Sequence, residues 1–145
     1  MKIKYSYIGN YEKPKKQTIG SAGIDLFNNT DKDITIEPGE YAIISTGFFV
    51  EIPEGYVGLV HARSGLATQH GITIVNAPGT VDSGYRGELM VTLLNTDRAK
   101  SFQIKRGDRI AQLVIQRYEH ANLVVVENLD ETERGSQGFG SSGLK

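Results

Sequence analysis

The apolar residues of this chain fall into short runs that are separated by turns rich in glycine and proline. Residues 1–5 alternate polar and apolar side chains, which is typical of a first strand and unlike the unbroken apolar core of a signal peptide. Many short strands at this spacing indicate an all-β sandwich or barrel. The further strands predicted cover residues 34–36, 41–52, 56–62, 72–75, 89–94, 110–117 and 123–126.

One short helix is predicted, from Ser64 to His70. Ser64 is a suitable N-cap, and Gly71 is a suitable residue to end the helix. The composition changes near Leu129, after which the chain is polar and rich in glycine. Such a segment cannot bury enough apolar area to fold alone. We therefore predict a β domain over residues 1–128 and a flexible C-terminal tail over 129–145.

Composition narrows the class of protein further. The chain has 145 residues, 39% of them hydrophobic, which fits one domain with its own core. No apolar run approaches the roughly 20 residues that a membrane-spanning helix needs. A net charge of −1 argues against a nucleic-acid polymer as the main ligand, since such binding requires a strong basic excess. The absence of cysteine favours an intracellular, cytoplasmic setting and excludes thiolate chemistry.

Two common kinds of site are not indicated. The three histidines, at positions 61, 70 and 120, lack the regular spacing of metal ligands. The chain also lacks the Gly-x-x-x-x-Gly-Lys-Ser/Thr loop of P-loop nucleotidases.

Residues 76–88 carry more functional groups than a turn requires. Two residues such as Asn-Gly suffice to connect the strands of a hairpin. This segment contains Asn76, Asp82 and Tyr85, as well as an arginine and a glutamate. We interpret it as a functional site, although Asp82 taken alone is equally explained as a turn-stabilising residue.

Five segments of the chain, in order and spacing, resemble the five motifs of the homotrimeric dUTPases. They are Ala-Gly-Ile-Asp-Leu at 22–26, Arg-Ser-Gly-Leu-Ala at 63–67 with His-Gly-Ile at 70–72, the segment 76–88, Arg-Gly-Asp-Arg-Ile-Ala-Gln-Leu at 106–113, and the glycine-rich segment 134–143. The resemblance implies a jelly-roll-like β-barrel or sandwich that forms a homotrimer. Its three active sites would lie between subunits, and the tail would close a neighbour's site.

The implied reaction is hydrolysis of dUTP to dUMP and pyrophosphate, with Mg²⁺ bound by the triphosphate. This reaction limits the incorporation of uracil into DNA and supplies dUMP for thymidylate synthesis. By resemblance, Asp82 holds the attacking water, and Tyr85 packs under the deoxyribose. Asn76, together with backbone groups of the turn such as those of Gly79, reads the edge of uracil. Without the resemblance, the commoner explanation of Tyr85 is a packed surface residue, and that of Asn76 is the end of a strand.

The resemblance places the phosphates elsewhere in the sequence. Arg63, Ser64 and Gly65 match the segment that meets them, and Gln112 matches a residue near the α-phosphate and the attacking water. Asp25 matches the acid that faces Mg²⁺ through metal-bound water, as this ion commonly retains several waters. Two other arginines of the fourth motif, Arg106 and Arg109, are expected to be structural or interfacial.

The tail is expected to supply the remaining contacts. By resemblance, Phe139 stacks on uracil, and Arg134 meets the γ-phosphate together with Ser141 and Ser142. The chain has Gln137 where the family usually has a glycine, which we expect to slow or bias closure without abolishing it.

Two alternative functions are also compatible with the sequence. A dCTP deaminase shares the fold, but it needs a glutamate to activate water at the cytosine ring, whereas the hairpin here supplies Asp82 and Tyr85. A dUTP-sensing regulatory protein that docks on a protein partner is the other, since a fold alone does not determine a function.

Overall fold

The computed structural model describes residues 1–138 of the chain and is mainly β. Its elements in this range are β1 (Lys4–Tyr7), β2 (Ile24–Phe27), β3 (Ile34–Ile36), β4 (Tyr41–Ile44), β5 (Phe48–Glu51), β6 (Tyr56–Ala62), α1 (Ser64–His70), β7 (Ile72–Ile74), β8 (Gly79–Val81), β9 (Val91–Asn95), β10 (Phe102–Ile104) and β11 (Arg109–Arg117).

The strands form four antiparallel sheets. The largest has the order β2-β11-β6-β8, and a three-stranded sheet has the order β4-β9-β7. Two further pairs join β1 to β5 and β3 to β10. This arrangement confirms the predicted all-β, jelly-roll-like class with one short helix.

A single hydrophobic core lies between the sheets. Strand β9 illustrates the pattern, because Val91 and Leu93 are buried while Thr92 and Leu94 are half-buried on the other face. This alternation is the period of two that a half-buried strand requires. Most of the other strands also contribute buried apolar side chains, including Leu26, Ile36, Ile44, Phe48, Val60, Ile72, Ile104 and Leu113.

The predicted long strand over residues 41–52 is interrupted in the structure. Gly47 has a φ of +63°, which lies outside the β region, and the chain changes partners there. Strand β4 pairs with β9, whereas β5 pairs with β1. Residues 45–47 are largely buried, like parts of the strands on either side, so burial continues through the break although strand pairing does not.

Three strands were not predicted from the sequence, namely β2, β8 and β10. Each has only three or four residues, and each includes one residue that weakens the strand pattern in the sequence. These residues are Asp25 in β2, Gly79 in β8 and Gln103 in β10. They form because neighbouring strands offer hydrogen-bond partners. Two of them, β2 and β8, carry residues of the candidate site.

The predicted helix is confirmed, but its predicted N-cap is wrong. Ser64 is the first helical residue, and the N-cap position is Arg63, in an extended conformation without a side-chain cap. Gly71 ends the helix at φ +65°, and its N–H donates to the carbonyl of Ala67. No helix within residues 1–138 is long and apolar enough to cross a membrane.

The predicted strand over residues 123–126 is wrong for this single chain. The four side chains, Leu123, Val124, Val125 and Val126, are between 55% and 98% exposed. All residues from 119 to 138 are exposed, and the last hydrogen bond from this end of the chain to the sheets joins the N–H of Tyr118 to the carbonyl of Gly55. An apolar run of strand-forming residues needs a partner strand, and residues 1–138 of one chain offer it none. The boundary at 128/129 stays a prediction.

Candidate active site

The segment from 76 to 88 lies between two paired strands, as predicted, but it contains an additional strand. Strands β7 and β9 pair with Ile74 opposite Leu93. After β7 the chain turns, crosses to the other sheet as β8 beside β6, and returns through a turn in which the N–H of Tyr85 donates to the carbonyl of Asp82. The segment therefore connects the three-stranded sheet to the four-stranded sheet.

The turn and β8 enclose an open cavity of about 330 Å³, which we call the loop cavity. Asn76, Gly79, Asp82 and Tyr85 all line it, so the four predicted residues of this segment meet in one place. Its walls are mainly apolar and include Val60, Ile74, Val81, Leu89 and Val91. An apolar cavity with a few convergent polar groups is the usual form of a small-molecule site.

Gly79 lines the loop cavity beside the side chain of Asn76. It is buried in β8 opposite Val60. A Cβ at this position would lie 3.4 Å from both the Cβ of Val60 and the Nδ2 of Asn76. The glycine thus leaves the backbone of β8 and the amide of Asn76 adjacent, where both can face a ligand.

The ring of Tyr85 is held by a hydrogen bond within the loop. Its hydroxyl donates to the carbonyl oxygen of Glu88 at 2.9 Å, and 46% of the residue remains exposed. Arg86 stabilises the same turn, because its Nη1 donates to the carbonyls of Ser83 at 2.6 Å and Tyr85 at 2.8 Å. The carboxylate of Asp82 is exposed at the mouth of the cavity.

A second group of predicted residues meets where β2, β6 and β11 run side by side. The register of β2 and β11 places Asp25 opposite Gln112. The amide Nε2 of Gln112 donates to the carbonyl of Ala62 at 3.2 Å, and Nη1 of Arg63 donates to the carbonyl of Arg109 at 2.8 Å. We call Asp25, Arg63, Arg109 and Gln112 the polar cluster.

Arg109 forms an ion pair with Asp25, a predicted site residue, which the sequence did not indicate. Its Nη1 lies 3.3 Å from Oδ2 of Asp25, which also accepts a hydrogen bond from Nε2 of Gln17 at 2.8 Å. The arginine was expected to be structural or interfacial, and the ion pair is a structural role. Sequence spacing gave no sign of it, because only the register of β2 against β11 brings residues 25 and 109 together.

Asp25 retains one carboxylate oxygen for an external ligand. Asp25 is buried, with 12% of its side chain exposed, and among residues 1–138 its Oδ1 accepts no side-chain hydrogen bond yet keeps some contact with solvent. The same range holds no group of three or more His, Cys, Asp or Glu side chains able to hold a metal. The donors present therefore fit Mg²⁺ held mainly by a ligand, with one carboxylate reached through water.

The predicted phosphate-binding residues do not line the loop cavity. Ser64 and Gly65 are exposed at the start of α1. Arg63 and Arg109 line a separate cavity of about 240 Å³ beside Leu66 and Phe102. The structure thus divides the predicted site residues of one chain between two places.

The tail contributes nothing to either cavity within the described residues. Nε of Arg134 donates to the carbonyl of Gln137 at 3.1 Å, a contact inside the tail itself. Phe139, Ser141 and Ser142 lie outside the described residues. Their predicted roles stay predictions.

Comparison with known proteins identifies the family. A sequence model of the dUTPase family matches residues 10–143, nearly the whole chain. The chain belongs to the dUTPase family. The resemblance seen in the five segments is confirmed.

Individual dUTPases give the same result. The deoxyuridine 5′-triphosphate nucleotidohydrolase of Rhodococcus erythropolis is 55% identical over 130 residues, which cover 90% of this chain and 78% of that protein. The dUTPase of Staphylococcus bacteriophage 80alpha, solved with dUpNHpp in work on phage dUTPases that control the transfer of virulence genes, has a TM-score of 0.88 and 31% identity over 99% of each chain. A mutant dUTPase of phage phi11 of S. aureus, with a TM-score of 0.79, 28% identity and coverage of 88% of this chain and 98% of that one, was solved with a structural Mg(II) ion.

Proposed function

We propose that this protein hydrolyses dUTP to dUMP and pyrophosphate, and so limits uracil in DNA while supplying dUMP for thymidylate synthesis. The observation that carries the proposal is the loop cavity. In a chain of the dUTPase family, it brings together Asn76, Gly79, Asp82 and Tyr85 from a single loop.

The loop cavity binds the nucleoside. The Asn76 amide offers one acceptor and two donors, which complement the edge of uracil together with the backbone at Gly79. Tyr85 packs under the deoxyribose, where a 2′-hydroxyl would collide with its ring. The tethered hydroxyl of Tyr85 supports this role, because it limits how far the ring can yield to a larger sugar.

Asp82 orients the water that attacks the α-phosphorus. A carboxylate is a hydrogen-bond acceptor but a weak base, so much of the rate enhancement must come from positioning and charge stabilisation. Gln112 lies near the α-phosphate and the water. Arg63, Ser64 and Gly65 bind the phosphate chain, for which the guanidinium and the exposed helix start supply donors.

Mg²⁺ is the cofactor in this proposal, and when bound to the triphosphate it neutralises charge that would repel a nucleophile. Asp25 would hold the ion through water. Its Oδ1, which keeps some contact with solvent, supports this role, while Oδ2 remains paired with Arg109.

We further propose that the enzyme is a homotrimer whose active sites combine residues of different subunits. The separation of the loop cavity from the cavity beside Arg63 supports this assembly. So does the exposed run 123–126, which would gain a partner strand on a neighbour. The tail would then bring Arg134, Phe139, Ser141 and Ser142 to a site other than its own.

Neither alternative function is favoured. A deaminase needs a glutamate at the cytosine ring, and the glutamate that lines the loop cavity, Glu88, is bound through Oε1 to Ser45 and Gly47. The control of virulence-gene transfer is a property of the phage proteins, and a regulatory partner of this chain is not proposed. An intracellular, cytoplasmic location stays a prediction.

Release of pyrophosphate from dUTP, UTP, dTTP and dCTP, with Mg²⁺ and with excess chelator, tests the proposal. We expect turnover of dUTP that depends on Mg²⁺, and little turnover of the other three. Absence of turnover, equal turnover of all four, or ammonia release from dCTP would overturn the function. Light scattering should give three times the 15.9 kDa chain mass, and a monomer would overturn the assembly alone.

A further inference from the structure

The turn between β4 and β5 holds one side of the loop cavity through the side chain of Glu88. Oε1 of Glu88 accepts hydrogen bonds from the hydroxyl of Ser45 at 2.5 Å and from the N–H of Gly47 at 2.7 Å. The next residue is held as well, because the hydroxyl of Thr46 donates to the carbonyl of Leu89. The N–H of Leu89 in turn donates to the carbonyl of Phe48 at 2.8 Å.

The environment of Glu88 is unusual for a surface carboxylate. It is half-buried, and within residues 1–138 none of the salt bridges includes it. Its two partners are neutral donors of a single turn, and hydrogen bonds to an ionised acceptor are the stronger kind. The carboxylate therefore fixes residue 88 to the sheet.

The backbone of the same residue holds Tyr85. The carbonyl oxygen of Glu88 accepts the hydroxyl of Tyr85 at 2.9 Å. The tyrosine ring folds back over Gly87, where a Cβ would collide with the ring hydroxyl Oη. The position of the ring in the loop cavity is thus linked to the β4–β5 turn through one residue.

We infer that Glu88 is a positioning residue for sugar recognition. It holds the ring of Tyr85 in the position where the ring accommodates deoxyribose and would collide with the 2′-hydroxyl of ribose. This inference rests on the proposed role of Tyr85. We call the hydrogen bonds of the Glu88 carboxylate to Ser45 and Gly47 the Glu88 anchor. If this anchor is lost, residue 88 and the Tyr85 ring gain freedom to move outward. The site should then discriminate less between deoxyribose and ribose, because dUTP is bound less well while UTP is affected little.

Steady-state kinetics of the full chain with dUTP and UTP test the inference. Glu88→Ala should raise KM for dUTP about tenfold and reduce the preference for dUTP over UTP in kcat/KM by about tenfold, with a smaller change in kcat. Glu88→Gln keeps an oxygen that accepts both bonds and should stay within about threefold of the parent. Glu51→Ala, which removes an exposed glutamate of β5, is the matched control.

Two further variants separate the possible failures. If Glu88→Ala does not fold, Ser45→Ala removes one donor and should shift the preference in the same direction by a smaller factor. If Tyr85→Ala destroys the preference but neither Glu88→Ala nor Ser45→Ala changes it, the role of Glu88 is overturned while that of Tyr85 survives. If Tyr85→Ala leaves the preference unchanged, the proposed sugar site itself is wrong. Equal losses with Glu88→Gln and Glu88→Ala would also overturn the anchor.

Discussion

The loop cavity and the polar cluster are two parts of one proposed active site, and the chain builds them differently. The loop cavity has walls of buried apolar residues from both main sheets, and the side chains of Asn76 and Asp82 make no hydrogen bond within residues 1–138. In the polar cluster the side chains bind one another or nearby carbonyls, as Arg63 does with Arg109 and Arg109 with Asp25. The residues of the first all line one cavity of a single chain, whereas in the second only Arg63 and Arg109 line a cavity, and Asp25 and Gln112 lie outside it.

This difference indicates which part of the reaction depends on assembly. Selection of the base and sugar should be a property of a single loop and its anchor. Binding of the triphosphate should require residues of other subunits and the tail. The following variants test that division, beginning with the largest expected effect.

Asp82→Asn should remove most of the activity while leaving nucleotide binding intact. The amide cannot accept a proton from water in the same way, and we expect kcat to fall about 1000-fold with KM for dUTP changed little. The side chain is exposed, so the thermal midpoint should stay the same. Asp31→Asn, at an exposed position away from the loop cavity, is the control, and equal rates in the two variants would remove Asp82 from its role.

Deletion of residues 130–145 should lower kcat/KM about 100-fold, because a ligand left open to water loses positioning of its phosphates. The trimer mass and thermal midpoint should persist, since residues 130–138 contact neither sheet. Arg134→Ala keeps the tail and should lose less. Full activity of the shortened chain would show that the polar cluster suffices by itself.

Gly23→Ala should displace Gln112 from the polar cluster and lower kcat about tenfold. A Cβ at Gly23 would collide with Oε1 of Gln112, although the φ of Gly23 is not positive and alanine fits the backbone. Gly20→Ala places the same methyl group in open space and is the matched control.

The pair of Gly23→Ala and Gln112→Ala provides a second check. If the glycine acts through Gln112, the double variant should be scarcely slower than Gln112→Ala alone. Additive losses would mean that Gly23 affects the site by another route.

Asp25→Asn should have the smallest effect, on the requirement for Mg²⁺. We expect the Mg²⁺ concentration for half-maximal rate to rise about threefold or more, since Mg²⁺ sites use only one or two carboxylates. Asp25 is buried, and the amide would weaken both its ion pair with Arg109 and its hydrogen bond from Gln17, so the thermal midpoint should fall as well, by about 4 °C for each kcal/mol lost. An unchanged Mg²⁺ titration would restrict Asp25 to its structural pairing.

Prediction from the sequence succeeded where a pattern is local. The alternation in β9 and the helix ending at Gly71 depend on neighbours along the chain. The grouping of Asn76, Asp82 and Tyr85 in one loop follows from their closeness in sequence. Residues 123–126 have the same local signal as a true strand, and the prediction was wrong there because pairing needs a partner.

The sequence by itself determined the all-β class, the family and the loop that carries the proposed chemistry. The spacing of hydrophobic residues and the order of the motifs are properties of the linear sequence and need no tertiary structure. Only the tertiary structure decided that Arg109 pairs with Asp25 and that Ser45 and Gly47 hold Glu88. Those contacts join residues 84, 43 and 41 positions apart. The first contact depends on the register of β2 against β11, and the other two on how the β4–β5 turn packs against the loop before β9, which the order of residues along the chain does not specify.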